Sequence, residues 1–186
     1  MNRKTICTSA MMVCLLIIAS LFFTAFAYAA TAAEIDAGAD AALDRFRTDI
    51  KGAPELIQSA QGVLVFRRVY EAGFIVGGEY GEGALRVNGK TVDYYNLAAG
   101  SLGFQIGAQA KTIILCFLQE PALKQFRASS GWKVGLDGSV AVITVGAGET
   151  VDFTKLNDPI VAFVFDNKGL MFNISLEGAK FTKIQR

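Results

Sequence analysis

Apolar residues recur along this chain in three rhythms. From about Ile6 to Phe26 they are almost continuous. From Glu34 to Ile50 they return every three or four positions, so that Ile35, Ala39, Ala42, Leu43, Phe46 and Ile50 share one stripe. That spacing predicts an amphipathic helix. Its other face carries Glu34, Asp36, Asp40, Asp44, Arg45, Arg47 and Asp49, five acids against two bases. A helix that lies on an anionic membrane has the opposite balance. This one is therefore expected to dock on the protein's own core. Gly52-Ala53-Pro54 ends it, and Pro54 suits the first turn of a short second helix to about Ala60.

After Gly62 the rhythm changes to short apolar runs broken by glycine. The stretch from Gly62 to Lys90 predicts three short strands, over Val63–Phe66, Gly73–Glu79 and Gly83–Val87. Asn88-Gly89 follows, and both residues tolerate the positive φ of a two-residue hairpin turn. Further strands are expected at Thr91–Tyr95 and Leu102–Ala108. Thr112–Leu118 is apolar throughout, which places it centrally and covered on both faces. Pro121–Ala128 predicts a short helix opened by proline. Trp132–Gly146 returns to strand spacing with a turn at Asp137-Gly138. Val151–Phe153 is a marginal strand. Pro159–Phe165 and Gly169–Leu176 are two more, joined by a turn at residues 166–169, and the last strand runs on to Ile184.

About nine strands follow one another with few helices between them. This favours an α+β fold: a mostly antiparallel, strongly curved or barrel-like β-sheet with an N-terminal helix pair and one short helix packed on it. Glycines inside the strands fit sharp bends or close backbone approach.

The first apolar run changes the reading of charge and compartment. Arg3 and Lys4 precede it and Ala27-Tyr28-Ala29 closes it, the arrangement of a cleaved export signal. The alternative is an uncleaved anchor, since the run approaches spanning length. Cleavage near Ala29 would leave 157 residues, one domain's worth, with 16 basic and 17 acidic side chains. The expected organisation is a signal peptide over 1–29, an amphipathic helix over 30–52 and one domain over 53–186. The product would be periplasmic or secreted, with membrane association open. A near-neutral domain argues against nucleic-acid binding, which needs a basic face. Only Cys116 would remain, so no internal disulfide could form. Its apolar neighbours predict a buried, unreactive thiol.

Catalytic chemistry finds little to work with. There is no histidine, which removes His-based triads and imidazole metal sites. No Asp-rich loop with calcium spacing is present. Gly78-Glu-Tyr-Gly81-Glu-Gly83 has the wrong glycine order for a phosphate loop. Glu79 and Glu82 could be paired carboxylates like a glycosidase's, but exposed acids near a turn explain them better. No enzyme activity, cofactor or metal is expected. The remaining candidates are basic groups: Arg67 with Arg68; Lys124, Arg127 and Lys133; and Lys180, Lys183 and Arg186. Each reads first as solvated charge. Brought together by the fold they would suit a phosphate headgroup, with Phe126 and Trp132 as apolar neighbours or core residues.

Several blocks in order carry a family likeness: GVLVF with AGFIVGGEYGEGAL, YYN with GFQIGAQ, IILCFL, LKQFRASSGW, DGSVAV and NKGLMFNISLEG. Together they span about Ala53 to Ile184 and resemble the SYLF lipid-binding domain family. The resemblance implies a non-enzymatic module that binds phospholipid or a membrane surface, aided by basic residues. Here Arg67, Arg68, Lys124, Arg127 and Lys133 are the candidate lipid-binding residues. Fungal members are described as actin-binding, a partner that an exported chain would not meet. Many relatives have proline where Arg67 stands, so that corner is more basic here. A cavity for an acyl chain is an alternative lipid site. The alternative function is a structural or interaction protein of the cell envelope, with a protein partner and no specific lipid.

Overall fold

The computed structural model describes residues 29–73, 76–102, 107–145, 156–165 and 176–186. Helix α1 (Ala32–Asp49) starts where Thr31 caps it. The Thr31 hydroxyl accepts from the Glu34 N–H, and the Glu34 carboxylate accepts from the Thr31 N–H at 2.8 Å, a reciprocal capping box. These bonds hold the Glu34 carboxyl below its ordinary range. Ile35, Ala39, Ala42, Leu43 and Phe46 are buried, as the helical stripe predicts. Helix α2 (Ala53–Ser59) follows with Pro54 in its first turn.

Among the described residues eight strands form one curled, half-barrel sheet: β1 (Gly62–Gly73), β2 (Val76–Val87), β3 (Lys90–Leu102), β4 (Gly107–Phe117), β5 (Trp132–Lys133), β6 (Ala141–Thr144), β7 (Ile160–Phe165) and β8 (Lys180–Ile184). The order is β5-β8-β3-β2-β1-β4-β7-β6. All pairings are antiparallel except β6 with β7. Helix α3 (Glu120–Ala128) crosses from β4 towards the β5 edge. The α+β architecture with N-terminal helices and a curved antiparallel sheet is the one the pattern implies.

Two details differ from the pattern. The strand expected at Val63–Phe66 runs on to Gly73, because Arg67-Arg68 forms a bulge instead of a corner. One extra residue enters β1 between Phe66 and Val69, and pairing resumes with both neighbours. The strands expected at Gly73–Glu79 and Gly83–Val87 are one strand, β2. Its glycines make room for β1 and do not end the strand. A Cβ at Gly83 would stand 2.7 Å from the Phe66 ring, and one at Gly81 would stand 2.8 Å from the Arg68 carbonyl oxygen. Asn88-Gly89 joins β2 to β3 with both φ values positive, 51° and 76°, as the turn requires. The expected strands at Val151–Phe153 and Gly169–Leu176, the turn at 166–169 and the segment 1–28 lie outside the described residues. So does the middle of the strand expected at Leu102–Ala108.

Strand β4 is central and buried on both faces, since alternate residues serve two packing layers. On the inner face Ile113, Leu115 and Phe117 join Leu64, Phe66, Leu85, Leu97 and Phe181. Phe126 of α3 fills the middle of that layer. Its ring centroid lies 4.8 Å from Tyr95, 4.9 Å from Phe117 and 5.5 Å from Trp132. Phe126 and Trp132 are thus core residues and not a surface anchor. The outer face meets α1, where Phe46 packs on Phe163 at 5.1 Å and on Phe165 at 5.7 Å.

The acidic side of α1 also helps to dock it. Asp36 accepts from the Thr91 hydroxyl at 2.6 Å and the Tyr94 hydroxyl at 2.8 Å, while Arg86 pairs with Asp36 and with Asp40 at 2.9 Å. Two of the five acids of that face are therefore tied to the sheet, and Asp44 stays exposed.

Cys116 on β4 is fully buried, and burial pushes its thiol up to about 12. The chain from Ala30 onward should therefore resist thiol reagents at neutral pH until it is denatured. Labelling of the folded protein at the rate of a small free thiol would contradict this burial.

Candidate functional site

The five candidate lipid-binding residues picked out by sequence separate into two places. Arg67 and Arg68 sit at the β1 bulge, both exposed. The Arg67 stem lies against α1, where a Cβ on Gly38 would be 3.1 Å from its Cδ. Its carbonyl accepts from the Thr112 hydroxyl at 2.9 Å. This pair is four strands from the β5 edge.

Lys124, Arg127 and Lys133 flank that edge, the first two on α3 over the inner face and Lys133 on the outer face. The α3 residue Gln125 donates its amide to the Asp137 carbonyl at 2.9 Å, which ties the helix to the turn after β5. In that turn the Lys133 N–H donates to the Asp137 carboxylate at 2.7 Å, and the Leu136 and Asp137 N–H groups donate to the Lys133 carbonyl. Leu136 projects from it with 82% of its surface exposed, the most exposed large apolar residue described. Strand β8 adds Lys180, which is in register with Lys133, and Lys183.

The charges around the edge differ in freedom. Lys124 pairs with Glu120 at 2.8 Å on the same helix and lowers that carboxyl from its ordinary value. Both ends are well exposed, so solvent screens the pair. Asp93 is the group that sequence reasoning missed. Its side chain is 7% exposed and takes Arg127 at 2.8 Å on one oxygen and Lys183 on the other. One buried acid thus fixes two cations and leaves a net positive charge. Beside it Tyr95 is buried with its hydroxyl unpartnered. Burial first, then the Asp93 charge, pushes its phenol up to about 12, against the pull of Arg127. No local motif marks Asp93, because Arg127 is 34 residues away in sequence.

The carboxylates Glu79 and Glu82 do not form a reactive pair. Both lie in β2 and are three residues apart, so they point to opposite faces. Glu79 is buried, not exposed near a turn as its sequence setting implies, and its carboxylate accepts from Lys111 Nζ at 2.7 Å. Glu82 holds the Tyr80 hydroxyl at 2.8 Å and also pairs with Arg186. Among the described residues no cluster of three or more acids or cysteines is placed to hold a metal, and no described helix is long and apolar enough to cross a membrane.

Residues 98–186 match a protein-family model described as "Ysc84: Las17-binding protein actin regulator". No curated protein matches the chain. The matched segment begins within β3 and contains α3, β5 and β8. It therefore includes every basic residue of the β5 edge and excludes Arg67 and Arg68.

Proposed function

We propose that this chain, whose residues 98–186 carry the SYLF (Ysc84) domain, is an exported, non-enzymatic module that binds phospholipid at the cell envelope. The family is one of binding domains. The finer reading rests on one observation: Lys124, Arg127, Lys133, Lys180 and Lys183 surround a single sheet edge beside the projecting Leu136. Each Lys or Arg near an anionic surface contributes about 1 kcal/mol, and one exposed leucine adds about 1.5–3 kcal/mol if fully buried among lipid tails. Asp93 fixes the Arg127 and Lys183 side chains, and the Asp137 turn fixes the Lys133 backbone, before contact. Leader cleavage near Ala29 would release the domain outside the cytoplasm. The lipid surface, and not the actin system named in the family description, is then the partner within reach. Arg67 and Arg68 are a secondary contact in this reading, set apart at the bulge.

Charge reversal tests it. Lys124→Glu combined with Lys133→Glu should weaken binding to anionic vesicles at least tenfold at low ionic strength. Arg67→Glu with Arg68→Glu should have a smaller effect. Added salt should reduce wild-type binding as well. Binding that is unchanged by the Lys124 and Lys133 reversals would sink the proposal, and capture of an envelope protein without any lipid would favour a structural role instead.

A further inference from the structure

Registered pairing places six residues in one unbroken row across the sheet. Lys133 faces Lys180, Lys180 faces Ala98, Ala98 faces Tyr80, Tyr80 faces Tyr70, and Tyr70 faces Ala110. Residues directly opposite each other share a face. Leu97, next to Ala98, belongs to the inner core, so the row lies on the outer face. It is open: Tyr70 is 50% and Tyr80 48% exposed, and Lys133, Lys180 and Ala98 are exposed too. The neighbouring row on the side away from α1 has only small residues in register, Gly100, Gly78, Ala72 and Ala108. On the other side the next row carries Thr182, Asn96 and Glu82 in register, with Glu82 paired to Arg186, and beyond it Arg67 rests on Gly38 of α1.

The row is polarised. Two lysines stand side by side at one end with no carboxylate paired to either among the described residues. Like charges directly opposite in a sheet oppose each other, so an anion there is favoured. The other end is aromatic and methyl. From β8 to β4 the row crosses four strand spacings of about 4.8 Å, on the order of 19 Å. The hydrocarbon of one bilayer leaflet is about 15 Å, half of a core of about 30 Å, so one extended acyl chain and its headgroup fit that length. A flat anionic bilayer can meet the lysine end of the row but cannot lie along its length. Asp44 and Glu34 on the solvent side of α1 rise from the same face, and their charge would repel it.

We infer that this row binds one anionic single-chain amphiphile or lipid, with its headgroup on Lys133 and Lys180 and its chain along Ala98, Tyr80 and Tyr70. The site rests on the lipid-binding reading and deepens it, from contact with a surface to holding one molecule. Tyrosine suits the track because its ring offers apolar area while its hydroxyl keeps a polar partner, which for Tyr80 is Glu82. Lysine stems can cover apolar surface while the ammonium reaches the headgroup.

Dodecyl phosphate below its micellar concentration is the probe, with dodecyl maltoside as the neutral control, read by calorimetric titration of the full chain. The wild type should bind dodecyl phosphate one to one and in clear preference to the maltoside. Lys133→Gln with Lys180→Gln should weaken dodecyl phosphate about tenfold and abolish the preference. Tyr70→Ser with Tyr80→Ser should weaken both amphiphiles at least tenfold. Ala98→Glu, an exposed change in mid-row that leaves the lysines and tyrosines in place, should block the phosphate. Wild-type protein that binds anionic vesicles but not dodecyl phosphate would overturn the track and leave the lipid surface reading standing. Equal binding by the tyrosine and Ala98 variants would also overturn it. Failure on vesicles with retention of dodecyl phosphate would instead refute the surface reading alone.

Discussion

Lys111→Met should cost about 3–5 kcal/mol of folding stability, the largest effect expected from a single polar side chain here. Lys111 and Glu79 are 2% and 8% exposed at their side chains and meet at 2.7 Å on the inner face. The second oxygen of Glu79 is already buried without a partner. Removing the ammonium leaves a carboxylate with neither a counter-charge nor water. Typical domains have a margin of only about 5–15 kcal/mol, so the variant should lose a large part of its denaturation midpoint. Replacing both partners, Glu79→Leu with Lys111→Met, should recover most of the loss, because the cost lies in the orphaned charge. Urea denaturation of the three proteins decides it. A single variant within about 1 kcal/mol of wild type would mean that water reaches the pair.

Phe46→Ala should be comparably damaging, about 3–5 kcal/mol. The ring is fully buried and touches Phe163 and Phe165 of β7. It therefore fastens the C-terminal half of α1, while Asp36 and Asp40 fasten the first half through Arg86, Thr91 and Tyr94. Asp44→Ala, on the exposed side of the same helix, should change stability by no more than about 0.5 kcal/mol. Equal effects from the two substitutions, read by thermal unfolding, would mean that α1 is not docked as described.

The elements that sequence made legible were those with a local cause. The stripe ending at Ile50 predicted α1 and its buried face, and Asn88-Gly89 predicted the β2–β3 turn. The uniform run at Thr112–Leu118 predicted a central strand covered twice. The glycines of β2 misled in detail, because a gap in the apolar pattern reads as a strand end. Only the positions of the Val65 carbonyl and the Phe66 ring across the sheet explain why Gly83 must be small. The candidate site was half legible for the same reason. Lys124, Arg127 and Lys133 are close in sequence, and the Gln125–Asp137 bond ties their two elements together. Asp93, which anchors Arg127 and Lys183, and the Tyr70–Tyr80 pair depend on registers between distant strands. The acidic face of α1 looked like pure solvent surface, since nothing local shows that Asp36 would meet Arg86, 50 residues on.

We propose that the β5 edge meets an anionic lipid surface. Flotation of the chain with vesicles of phosphatidylglycerol and phosphatidylcholine, against phosphatidylcholine alone, tests it most directly. The protein should float with the anionic vesicles, release as salt rises through a few tenths molar, and stay behind with the zwitterionic ones. Equal recovery on both vesicles, or none on either, would contradict the account.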